Sequence, residues 1–194
     1  MNEVNLLLPE RELFPKAEIK FIAEDPKFNM QLSLIEGAWK VHGDRILDAF
    51  KKVTGLPFIE EKLTFVVGKG NKRGHSHSGM NLTDPIKVRY DSSDPFGTLL
   101  HELTHRLMME YHLWSRNHAK IGAKETHQMV ALILYEVIKE LFGQEAADLR
   151  VEHESEWRDP KYRKAWEWWR EKTEEERAQL LKLVVDMSEG IKKD

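Results

Sequence analysis

The run His101-Glu102-Leu103-Thr104-His105 combines residue types and spacing that can do chemistry. On an α-helix, positions four apart lie one above the other, so the imidazoles of His101 and His105 reach a single tetrahedral ion. Glu102 stands about 100° round from His101, where its carboxylate can hold a water bound to that ion. This is the H-E-x-x-H pattern of a zinc hydrolase, in which the glutamate acts as general base.

The pattern works only if a helix carries it. Asp94-Pro95 reads as an N-cap followed by proline at the first helical position, and apolar residues then recur at helical spacing, which predicts a helix over about 95–113. On a helical wheel Phe96, Leu100, Leu103 and Leu107 cluster on one side, while Thr98, His101 and His105 fall nearly opposite. Two histidines leave a catalytic zinc short of the three protein ligands it normally has. A second helix, predicted from Gly122 to about Phe142, puts Glu125 in line with Met129, Leu132 and Ile133 on an apolar stripe. An ionised carboxylate there is costly unless a cation meets it, so Glu125 is the preferred third ligand. His127 is the alternative: it lies roughly 200° round from Glu125, and only one of the two can point at the site. His112, seven residues beyond His105, is about 10 Å along the axis and too far to share the ion.

His-Glu-Leu-Thr-His, a glutamate twenty residues after the second histidine on the next helix, and Gly122-Ala123 shortly before that glutamate resemble the gluzincins, the thermolysin-like clan of zinc peptidases. The small size of the chain is similar to that of the compact minigluzincins. The resemblance covers about residues 86–142. It implies Zn2+ held by His101, His105 and Glu125, with Glu102 as general base in the hydrolysis of peptide or protein substrates. It further implies a transition-state donor from the C-terminal part, for which His153 and Tyr162 are candidates. Ile86 to Tyr90 alternates as a half-exposed strand, and in the family such a strand pairs with substrate, which would make Val88 and Tyr90 substrate-binding; the strand can also be merely structural. The chain departs from the family at Met129, where an aspartate supports a ligand histidine, and at Arg106, where an uncharged residue is usual. The first departure raises a second possibility, a protein that binds zinc and peptides for regulation without turnover.

Strands are predicted at about 17–23, 63–67 and 86–90 and a helix at about 32–53, with a helical remainder from 145 to 188 whose starts are marked by Asp159-Pro160 and the capping box Thr173 to Glu176. The expected fold is a single α+β domain over 1–194, zincin-like. Its first part, to about 113, places a small mixed or antiparallel sheet on the motif helix; its helical second part, from about 122, carries the third ligand. The glycine-rich, basic loop from Gly68 to Gly79 reads as a solvated connection, with a lid or a His75/His77 metal site as the other reading. Tyr162, Trp166 and Trp169 share a helical face suited to packing.

With 194 residues, of which 41% are hydrophobic, the chain suffices for one core and is short for two. A net charge of −3 gives no reason to expect nucleic acid or an anionic membrane as partner. The absence of cysteine excludes disulfides and thiolate ligands, so any zinc site rests on His and carboxylate. The N-terminal segment lacks the basic flank and long apolar stretch of a signal peptide, and no stretch is apolar enough to span a membrane, so a cytoplasmic location is expected.

Overall fold

The computed structural model describes residues 17–70, 76–92, 94–113, 122–157 and 159–189. Its elements run β1 (Glu18–Ala23), α1 (Asn29–Thr54), β2 (Lys62–Gly68), β3 (Ile86–Arg89), α2 (Pro95–Glu110), α3 (Thr126–Phe142), α4 (Gln144–Ser155), α5 (Pro160–Arg170) and α6 (Glu174–Glu189). The α+β class is as the sequence predicts. The sheet is not: its order is β1-β2-β3 and both pairings are parallel, with Phe21 opposite Phe65 and Val67 opposite Val88. The connections explain this, because a parallel neighbour needs a return of a dozen residues or more. Residues 24–61 contain α1 and carry the chain from β1 back to the start of β2; residues 69–85 do the same for β3 without a described helix.

Leu63, Phe65, Val67, Ile86 and Val88 bury the inner face of the sheet. Against it pack Ile35, Ile46 and Phe50 of α1 and Leu99, Leu103 and Leu107 of α2, all within one continuous core. α1 ends at Gly55, whose φ of 69° is the left-handed C-cap conformation that glycine adopts without a Cβ clash. At the centre lies α3, from Met129 to Leu141 buried almost all round, as its run of apolar residues requires. It packs against α1, α2, α4 and α5. Trp166 and Trp169 of α5 turn inward, while Trp168 is half-buried with the Lys172 ammonium 5.4 Å from its ring. The capping box opening α6 forms as read: the Thr173 N–H donates to Glu176 Oε2 at 2.7 Å, and the Glu176 N–H to Thr173 Oγ1 at 3.2 Å.

Two contacts fix α2. Asp94 caps it, accepting from the Gly97 N–H at 2.8 Å, and Arg150 of α4 reaches over Gly97 to donate to Asp94 Oδ2 at 2.6 Å and to the Gly97 carbonyl at 2.9 Å. A Cβ on Gly97 would meet the Arg150 guanidinium, so the crossing needs glycine. Lower down, Arg106 is buried on the face turned away from the histidines and donates to the carbonyls of Asn81 and Asp84. It thereby ties the segment before β3 onto α2, which accounts for a charge immediately after the second histidine. No described helix is long and apolar enough to cross a membrane.

Candidate metal centre

His101 and His105 lie one turn apart on α2, with ring centroids 4.9 Å apart. His127 comes in from the first turn of α3, its ring centroid 5.5 Å from His101 and 4.9 Å from His105. One ligand atom from each of the three lies within 4.8 Å of the others, a spacing that suits a shared cation.

The third member of the cluster is therefore His127, where the sequence favoured Glu125. α3 begins at Thr126, not Gly122, and Glu125 is its N-cap in extended conformation, φ −137° and ψ 146°. Outside the helix, Glu125 no longer follows the wheel that aligned it with Met129. Its N–H donates to Gln128 Oε1 at 3.2 Å. That glutamine three residues on is a capping signal that would have moved the helix start and freed His127 for the site.

Support for His101 comes from α4. Glu154 Oε1 lies 2.9 Å from His101 Nδ1, Arg150 Nη2 donates to the same oxygen at 2.5 Å, and Trp166 Nε1 donates to Oε2 at 3.0 Å. Burial alone would raise the Glu154 carboxyl; the charges of Arg150 and His101 outweigh it and hold the group at about 2, so it is an anion. An ionised carboxylate only accepts, so Nδ1 of His101 is the donor, which leaves Nε2 as the atom that could meet a metal. Among the described residues, that buried Nε2 has no hydrogen-bond partner. Burial, then the neighbouring charges of His101 and His127, holds His105 well below the ordinary histidine range. Burial and the charges of His101 and Lys161 push His127 down to about 3. Two imidazoles held neutral, and a third whose buried Nε2 has no partner among the described residues, form a donor set that fits zinc.

Glu102 is buried beside them, and burial pushes its carboxyl up to about 7 against the lowering effect of His101 and Lys161. Tyr162 closes the other side, its ring 4.7 Å from His127 and 5.4 Å from His101; burial, then the charge of Glu102, keeps its phenol protonated. Trp157 adds a wall, 5.7 Å from His101 and 4.6 Å from Tyr162. Of the two candidate donors, Tyr162 thus joins the site. His153, near the end of α4, lies edge-on to Trp157 at 5.9 Å and lines a groove with Phe96, Leu100 and Phe142.

The strand assigned to substrate is differently placed. Val88 is fully buried in the core and Tyr90 stacks on Phe28 at 4.5 Å. The outer edge of β3 is already paired: the His77 N–H donates to the Lys87 carbonyl at 2.8 Å, the Lys87 N–H to the His77 carbonyl at 2.7 Å, and the Arg89 N–H to Ser76 Oγ at 3.1 Å. His75 lies outside the described residues. His77 is not one of the clustered histidines; its Nδ1 accepts the Gly79 N–H at 2.8 Å.

Glu154 and Lys161 escaped the sequence reading. Glu154 had a signal, since with Arg150 it falls on the stripe of α4 that carries Ala147 and Val151, where a charged pair must be buried. Lys161, next to the α5 cap, had none.

No family model matches this chain, and no curated protein or solved structure matches it.

Proposed function

We propose that this protein is a zinc-dependent hydrolase of peptide bonds, with His101, His105 and His127 holding the ion and Glu102 as general base. The observations that carry the reading are that His101, His105 and His127 each bring a ring nitrogen within 4.8 Å of the others and that the buried Nε2 of His101 has no partner among the described residues. Zinc, when bound, supplies Lewis acidity and lowers the pKa of a coordinated water toward about 7.

The chain supplies the rest. Glu102 is the carboxylate nearest in sequence to the ligands and sits in the same buried space; it takes the proton of the attacking water and returns it to the leaving nitrogen. Tyr162, kept protonated, donates a hydrogen bond to the oxyanion that develops on the substrate carbonyl. Trp157 and Tyr162 exclude bulk water, which strengthens both effects. Glu154 fixes the tautomer and the orientation of His101.

Glu102→Gln separates turnover from binding. It preserves shape and ligands, so the variant retains one equivalent of zinc while kcat/KM on peptides falls by roughly 10²- to 10⁴-fold. Cleavage that survives the substitution overturns the role of Glu102. A wild type that binds zinc and peptides but cleaves none supports the alternative of a binding protein.

A further inference from the structure

Two features of the surroundings bear on what reaches the site. The outer edge of β3 is occupied by Ser76 and His77, so an extended polypeptide cannot add itself there as a further strand. And a cation stands beside the site: the Nζ of Lys161 lies 5.0 Å from the ring centroid of Tyr162, the same ring that stands 4.7 Å from His127. The Lys161 side chain is 39% exposed and its partner, Asp159 at 3.3 Å, is 35% exposed. Surface ion pairs of this kind are weak and exchange readily, which leaves the ammonium open to an incoming anion. Its charge also bears on Glu102, His105 and His127, in keeping with a place over the cluster.

We propose that Lys161 binds the free α-carboxylate of a short substrate, so that the protein cleaves amide bonds close to a peptide's C-terminus and not bonds within an extended chain. This rests on the zinc-hydrolase reading above. A carboxylate paired with Lys161 lies against Tyr162, which places the neighbouring amide by His127, His105 and Glu102. An acidic side chain offers the same charge, but it belongs to longer chains as well, for which the closed β3 edge provides no pairing.

The test uses the full chain with Glu102→Gln, loaded with zinc, so that binding is read without turnover. Calorimetric titration compares an N-acetylated tripeptide with a free C-terminus, its C-terminal amide, and the amide of a tripeptide ending in aspartate. The free acid is expected to bind at least about tenfold more tightly than either amide. Adding Lys161→Met removes that preference and Lys161→Arg retains most of it, with zinc content unchanged in both. Equal affinity for acid and amide, a preference that survives Lys161→Met, or tightest binding of the aspartate amide overturns the proposal while the zinc reading stands. Absence of zinc from the wild type overturns both.

Discussion

Glu154 is the residue that holds the His101 ring in place. It accepts from His101, Arg150 and Trp166 with both oxygens in a buried setting, so its lone pairs are spent on holding one tautomer and one ring orientation. Glu154→Gln keeps the shape but offers a neutral amide to His101, and Asp94 still pairs with Arg150, so the fold survives. Zinc affinity should drop by roughly 10- to 100-fold, measured by competition with a chelator; an unchanged affinity would remove Glu154 from the site. At this scale the sequence was partly legible. His101, Glu102 and His105 need only helical spacing to come together, and α2 provides it. The third member of the cluster depended on where α3 starts: a helix read from Gly122 and not from Thr126 put Glu125 on the wheel in place of His127. The support for His101 arrives from a helix about fifty residues on, through a contact that no local pattern encodes.

Among the elements, α2 has a polar anchor at each end. The Asp94–Arg150 pair holds its start, and at its end Glu110 is buried, accepting the Ile59 N–H at 3.0 Å, close to Glu60 and Arg106. Burial, and after it the contact with Glu60, pushes the Glu110 carboxyl up to about 8 against the lowering effect of the Ile59 N–H. The folded state thus binds this proton more tightly than the unfolded chain, whose glutamate titrates near 4.5. Its contribution to stability is full below about pH 4.5 and is lost as pH rises through about 8. Urea midpoints measured between pH 5 and 9 should therefore decline less steeply for Glu110→Gln than for the wild type; equal slopes would mean that Glu110 does not carry this linkage. Strands and helices were legible at this scale because each has its own periodicity and caps. Sheet direction was misread, although the helix predicted between the first two strands is the long return that a parallel pair needs; the connection 69–85, without a described helix, carries a weaker signal.

For the whole molecule, the proposed metal centre joins elements distant in sequence: α2 and α3 through the three histidines, and α4 through Glu154. Because unfolding separates them, bound zinc must add to stability. At free zinc 1,000 times Kd the gain is about 4 kcal/mol. A chain of this size gains about 2–4 °C in Tm per kcal/mol, or about 8–16 °C in all. Calorimetric scans with zinc and with chelator should show this shift, and His101→Ala should abolish it; a Tm indifferent to zinc would speak against a shared site. The most direct measurement is the zinc stoichiometry and affinity of the wild type beside His127→Ala and Glu125→Ala. One equivalent of zinc, retained by Glu125→Ala and lost by His127→Ala, is the result expected of a three-histidine centre; zinc retained by His127→Ala and lost by Glu125→Ala, or no zinc in any of the three proteins, would contradict it.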